Sequence, residues 1–327
     1  MVSILKRILQ RRNAGKPKGG SQCALVAAFG KHPGWDDHID DIGLDTDVLI
    51  AVKRLLYIEG IGSNLDAGSW DKLDPEQRID EFGHMFLWLL KGEVVIGRLW
   101  SSRDGKGRAR YPMVVCIQCS GLPLLWVLAN ILPRLERIEA ACVDTTSPHD
   151  VRRIMEAAQS EVRQLVQQRE RAPAPGPEAA RPLARLAELP EMGPNRQGLH
   201  RVLYHIDREV GRGPAGTERR QAVRPAVFRV PASWTASREV GLAWIRFLRA
   251  RFGAETSILA LTPLKHPWID VIIGEPTSVQ MFCLRAARGT LPLTNTIPYS
   301  LDSEFVTRTN QLIDDFQAQP TDKSHTG

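Results

Sequence analysis

The sequence predicts an α/β fold in two parts, each a sheet with helices packed on it, the second part smaller than the first. Three observations carry that prediction. Apolar runs of strand length alternate with stretches whose apolar residues recur at helical spacing. The segment Arg169 to Pro182 mixes four prolines with alanine, glycine and charge, cannot build a packing face, and reads as a linker. The chain has 327 residues, 43% hydrophobic and 24% charged, which suits a globular protein with sizeable cores and excludes disordered and collagen-like classes. The predicted layout is a basic flexible segment over 1–20, a first α/β domain over 21–168, the linker over 169–182, a second α/β domain over 183–316 and a disordered tail over 317–327.

The first domain opens on a strand from Gln22 to Phe29, followed by a loop dense in glycine, proline, acids and histidines. Asp45 or Thr46 then caps a helix whose Val48, Val52, Leu55 and Leu56 recur at helical spacing, ending near Gly60 or Gly62. A second helix is predicted from Asp74 as N-cap and Pro75 as first residue. Ile79, Phe82, Met85, Phe86, Leu89 and Leu90 form its stripe and Gly92 stops it. His84 lies off that stripe and is expected on the surface. Strands at Val94 to Trp100 and Tyr111 to Val115 flank a polar tip and read as a hairpin. Pro123 to Ile138 reads as a largely buried helix, and Ser147-Pro148 opens a charged one with Val151, Ile154, Ala158, Val162 and Leu165 on one face.

Past the linker, a short helix and a strand at His200 to Ile206 are expected, then a basic loop from Gly211 to Arg224. Strands follow at Ala226 to Val230, Ser257 to Leu261, Trp268 to Ile273 and Val279 to Leu284. Helices are placed at Ala236 to Phe252, ended by Gly253, and at Ser303 to Phe316.

Net charge is +6, but Lys6, Arg7, Arg11, Arg12, Lys16 and Lys18 precede the first core strand with no acid among them. Much of the basicity therefore belongs to one segment. Val2, Ile4, Leu5, Ile8 and Leu9 make that segment amphipathic. It suits weak peripheral contact with an anionic inner-membrane surface or an acidic partner, against the plainer reading of a frayed tail. Arg208, Arg212, Arg219, Arg220 and Arg224 have no interleaved aromatics, so nucleic acid is not an expected partner. Met113 to Leu132 has the length of a membrane span, but Gln118, Ser120, Gly121 and Pro123 divide it into a buried strand and a buried helix. The five cysteines fall mostly in apolar runs, as buried free thiols of a reducing cytoplasm do. Cys116 and Cys119 sit three apart in a strand, which points them to opposite faces and argues against a redox pair or zinc knuckle.

Two segments concentrate the chemistry: Phe29 to His38, and Gly97 to Pro112. His32, Asp36, Asp37 and His38, with Asp40 and Asp41 beside them, bring imidazole and carboxylate together at a density that could hold a metal and activate water. The opposing reading gives the aspartates to backbone N–H groups of a tight turn. Ser101, Ser102, Asp104, Lys106 and Arg108 resemble a phosphate cradle, but there is no G-x-x-x-x-G-K-[ST] and no following helix. No G-x-S-x-G or placed base marks a nucleophile.

Gly30, Lys31, Pro33, Asp36 and Asp37, followed by Ser102, Asp104, Gly107, Arg108, Tyr111 and Pro112, resemble in order and spacing the two motif segments of the TagF family, accessory proteins of the bacterial type VI secretion system. The resemblance covers roughly residues 24 to 145. His32 and His38 depart from the family's apolar positions, and Trp100-Ser101 replaces its Pro-Ser. The resemblance implies a mixed, largely antiparallel, longin-like sheet sandwiched by helices, and a hairpin pair of Asp104 and Arg108 bonded to the acidic loop through Arg108 against Asp36 or Asp37. It also implies a non-catalytic cytoplasmic regulator without cofactor that binds other secretion-system proteins, in the family a post-translational repressor engaging a forkhead-associated scaffold protein. The alternative is a metal-dependent hydrolase built on His32, Asp36, Asp37 and His38.

Overall fold

The computed structural model describes residues 22–169, 181–210, 225–232 and 237–316. The basic segment 1–20, nearly all of the expected linker, the basic loop 211–224 and the tail 317–327 lie outside the described residues.

Runs buried at nearly every position form strands with a helical layer on each face, and these runs set the architecture. Among the described residues one sheet holds β1 (Cys23–Gly30), β2 (Gly83–Leu90), β3 (Glu93–Ser101), β4 (Pro112–Ser120), β5 (Ala226–Pro231), β6 (Ile258–Pro263) and β7 (Trp268–Ile273). Their order is β1-β4-β3-β2-β6-β7-β5, and every ladder is antiparallel. The expected α/β class, an antiparallel sheet between helices, is the one observed. The sequence reading gives each part its own sheet, and here the structure differs. β2 pairs with β6 from His84 opposite Pro263 to Leu89 opposite Ile258, so a single sheet includes strands from both sides of residues 170–180.

One face is covered by α1 (Asp47–Val52), which runs through a π-helical stretch (Lys53–Gly62) into α2 (Ser63–Asp66). The other face carries α3 (Leu124–Asn130), α4 (Leu132–Val143), α5 (Pro148–Gln167), α6 (Pro182–Ala187), α7 (Gln197–His205) and α8 (Arg238–Phe252). The short α9 (Ser278–Met281) joins the α1 side, and α10 (Ser303–Asp315) joins the α5 side. The first core gathers Phe29, Leu56, Trp70, Phe86, Trp88 and Leu261; the second gathers Ile117, Leu135, Val151, Trp244 and Phe247. Caps fall where side-chain chemistry places them: Thr46, Ser147 and Ser237 each accept from a backbone N–H three residues on.

Three expected elements are corrected. The helix over Asp74 to Leu90 is a short 3-10 turn at Pro75–Gln77 followed by β2. A continuous apolar run fits helical and strand spacing alike. Met85, Leu87 and Leu89 enter one core while Phe86, Trp88 and Leu90 enter the other, and the Lys91-Gly92 turn returns the chain into β3. His84 is consequently not on the surface: it shares the Phe86 side of β2, is buried, and its pKa is pushed down to about 3 by that burial. The strand at His200 to Ile206 is helical, since Leu199, Val202, Leu203 and Ile206 share a buried stripe. Val279 to Leu284 is also helical, begun by a reciprocal capping box between Thr277 and Gln280.

Cys116 and Cys119 enter opposite cores, as strand alternation requires, and all five cysteines are free thiols. Burial pushes Cys116 up to about 12. Among the described residues no helix is long and apolar enough to cross a membrane. Met113 to Leu132 is divided between β4, a turn and α3.

The edge strand β1 is occupied along its outer side. The Gln159 amide accepts from Val26 N–H at 2.8 Å and donates to the Ala24 carbonyl at 3.1 Å. Ile42 exchanges both backbone bonds with Ala28.

Arg229 and Asp270 face each other across β5 and β7, and neither is exposed. Their bonds are bidentate at 2.7 and 2.9 Å, the guanidinium lies 4.3 Å over Trp268, and it also donates to the Leu291 and Ala286 carbonyls. Removing one partner strands a buried charge. Arg229→Met or Asp270→Leu alone is therefore expected to cost about 3–5 kcal/mol. The double substitution should cost clearly less than the sum of the two, as read from chemical denaturation midpoints.

Candidate functional site

The motif loop leaves β1 at Gly30, whose φ of +113° and approach to the Pro112 carbonyl leave no room for a side chain: a Cβ there would lie 2.3 Å from that oxygen. This close crossing brings residues 31–38 against the tip between β3 and β4. The Lys31 N–H donates to Pro112 O at 3.1 Å, and its aliphatic stem is covered, so the ammonium reaches inward rather than to water.

The ammonium meets Asp104. Lys31 Nζ lies 2.5 Å from Asp104 Oδ2 and 3.1 Å from Asp37 Oδ1. The Asp104 side chain is fully buried and Lys31 is 5% exposed. Asp104 also organises its own turn, since Oδ1 accepts the N–H groups of Lys106 and Arg108 at 3.0 and 2.9 Å. Its Oδ2 accepts Arg108 Nε at 2.7 Å. Burial raises its carboxyl, but bonds from Lys31 and Arg108 outweigh that and hold it well below the usual carboxylate range.

Arg108 completes the junction. One guanidinium nitrogen donates to the Asp36 carbonyl at 2.7 Å and lies 3.3 Å from Asp37 Oδ1. The expected pairing of Arg108 with this acidic loop is thus present, to the backbone of Asp36 and the side chain of Asp37. Bonding from Lys31 lowers the Asp37 pKa. Gly105 N–H donates to Trp35 O at 2.6 Å, and Lys106 lies 3.6 Å from Asp36 at the exposed rim.

The remaining motif residues divide into support and surroundings. Pro112 O accepts Tyr57 Oη at 3.3 Å. Tyr111 packs on Tyr57 and edge-to-face on His38, with centroids 5.5 and 5.3 Å apart. Pro33 contributes backbone beside Gly105, and Gly107 takes a positive φ of 78° in open space. Ser102 is half-buried and takes no part in these contacts.

The histidine and aspartate cluster does not converge on one point. His32 turns away to the α4–α5 junction, with Nε2 donating to Cys142 O at 2.9 Å and Nδ1 accepting from Gly34 N–H at 3.1 Å. Burial lowers its pKa, in keeping with that neutral tautomer. His38 instead meets Asp37 at 3.2 Å on the exposed side. Among the described residues no group of three or more histidine, cysteine, aspartate or glutamate side chains is placed to hold a metal. The expectation that His32, Asp36, Asp37 and His38 share a site is therefore corrected: both His32 nitrogens are engaged elsewhere.

Sequence reasoning singles out Lys31 and Asp104 but not their pairing, and it misses Arg152 altogether. Lys31–Asp104, the buried centre, joins residues 73 positions apart, and neither residue's local pattern announces the other. Arg152 lies 5.5 Å over the Trp35 ring and 2.6 Å from Asp40, clamping the loop from α5.

No family model and no curated protein matches the chain. A solved structure, PA0076 from Pseudomonas aeruginosa PAO1, is similar at 21% identity over 46% of this chain and 64% of that one, with a TM-score of 0.29. The match spans less than two thirds of that protein and is too loose to carry an argument about this one.

Lys31→Met leaves the Asp104 carboxylate buried without its ammonium, and should lower the denaturation midpoint more than Arg108→Ala, whose half-exposed side chain contributes less than about 1 kcal/mol. Both Asp104 and Asp37 have folded pKa values below the unfolded value of about 3.9. Their stabilisation is complete above that pH and is lost as pH falls through the folded values. Below about pH 4 the stability of Asp104→Asn should therefore fall less steeply with pH than that of the unaltered protein.

Proposed function

We propose that this protein is a non-catalytic accessory protein of a bacterial type VI secretion system, acting in the cytoplasm by binding other components of that system. The observation that carries the reading is the Lys31–Asp104–Arg108 junction. It ties together the same two segments on which the resemblance to the TagF family rests. Lys31 and Asp104 turn their charge inward on each other, so this chemistry is spent on shape. What reaches solvent is a ring of Asp36, Asp37, Lys106 and Arg108 at 81, 67, 60 and 53% side-chain exposure. Alternating charge on a stiff support suits recognition of another protein, where rim charges fix register and speed encounter.

By the same resemblance, the partner is a cytoplasmic secretion-system protein such as a forkhead-associated scaffold, and the outcome of binding is restraint of secretion. The charge-swapped Asp36→Lys/Lys106→Glu variant keeps the local pair and leaves Lys31–Asp104 untouched. It should fold with an unchanged melting temperature yet lower recovery of the secretion-system partner in co-purification by about tenfold, the factor of one 1.4 kcal/mol step. Loss of the gene should raise release of the secreted tube protein. Equal recovery by both proteins would sink the reading. So would a purified protein with stoichiometric metal and a hydrolytic activity that His32→Ala/Asp36→Ala abolishes.

A further inference from the structure

A second surface lies on the α1 side. The stretch 41–45, α1 and the π-helical turns enclose a groove of about 550 Å³. Leu44, Ile50 and Ile58 line it, and Ile50 and Ile58 are 51% and 54% exposed. Two branched apolar side chains with half their surface in water, in one concave site, ask for a covering group. The cations at the rim are already matched, Lys53 by Asp41 at 2.5 Å and Arg54 by Glu59 at 2.5 Å. Asp45 lines the groove and Asp47 starts α1 beside it; both are exposed and neither is ion-paired with any described residue. The groove therefore sets three apolar side chains among paired charges, and at its α1 end Asp45 and Asp47 have no ion-pair partner among the described residues.

Where the strand leads is equally specific. Ile42 bonds to Ala28, and Gly43 lies so close to Val26 that a Cβ would come within 2.1 Å of its carbonyl. Thr46 donates to Gln118, the residue opposite Leu25. Residues 42–46 thus run back along β1 and bring the start of α1 to the end of the strand at which Gln22 lies. The preceding segment, outside the described residues, contains Leu5, Ile8 and Leu9 at helical spacing, with Lys6, Arg7, Arg11 and Arg12 among them.

We propose that the groove docks residues 2–12 of the same chain, apolar side chains against Leu44, Ile50 and Ile58 and cations toward Asp45 and Asp47. Residues 13–21 leave nine residues of tether, up to about 30 Å, and the start of α1 lies beside the end of β1 from which that tether runs. Covalent attachment gives an effective concentration on the order of millimolar, enough for a small groove to hold an amphipathic helix.

The test is limited trypsin digestion of the full chain, comparing cleavage at Lys6, Arg7, Arg11 and Arg12 with cleavage at Lys16 as internal reference. Ile50→Glu/Ile58→Glu alters exposed positions and should speed cleavage over residues 6–12 about tenfold relative to Lys16, one decade of the docking equilibrium. Leu5→Glu/Leu9→Glu changes only the segment, leaves the described fold untouched, and should have the same effect. Rates matching the unaltered protein in both variants overturn the proposal. Protection that arises only on adding phosphatidylserine vesicles, and that is indifferent to Ile50 and Ile58, overturns it in favour of a membrane-surface role.

Discussion

A lysine and an aspartate, both withdrawn from water, hold two distant parts of this chain in one arrangement. Neither charge is tolerable there alone, because a buried ion without a counter-charge costs several kcal/mol. Lys31 and Asp104, seconded by Asp37 and Arg108, meet that demand, and their pairing fixes more than itself. With the ammonium in place, Asp104 can close the turn that carries Lys106 and Arg108, and Arg108 can reach the acidic loop. Removing Asp104 would take away the acceptor of the Lys31, Lys106 and Arg108 bonds at once.

The sheet explains why that junction forms where it does. β1 and β4 are paired from Cys23 opposite Ser120 to Gly30 opposite Met113. Their last residues deliver the loop after β1 and the tip before β4 to the same end of the sheet. Gly30 permits the crossing, and Tyr57, from the π-helical stretch, bonds to Pro112 from the α1 side. The loop's other flank is fixed from α4 and α5 through His32, Arg152 and the packing of Gly34 against Thr146 and Pro148. The site is consequently supported by both helical layers and by the sheet between them.

Much of this was legible in the residues. The hairpin around Asp104, the caps at Thr46 and Ser147 and the opposed cysteines follow from local patterns, and the contact of Arg108 with the acidic loop follows from the family resemblance. What was not legible depends on partners far along the chain. Met85 to Leu90 reads as a helix until β3 and β6 are known to flank it, because a run apolar at every position satisfies either period. The joining of both parts through β2 and β6 depends on the same fact. Lys31–Asp104 escapes for a related reason: a buried ion pair has no signature in either residue's neighbourhood. The His32 ligand reading fails because donor atoms were counted without knowing that Cys142 and Gly34 already occupy them.

The outer side of β1 has one further consequence. A strand with open N–H and C=O groups is a template, and two molecules that meet edge to edge can zip into a continuous ribbon. In this chain a single glutamine from α5 imitates a neighbouring strand for Ala24 and Val26, and Ile42 does so for Ala28. The protein therefore closes one end of its sheet with its own amides. A high local concentration of this chain does not invite self-templated growth along that margin.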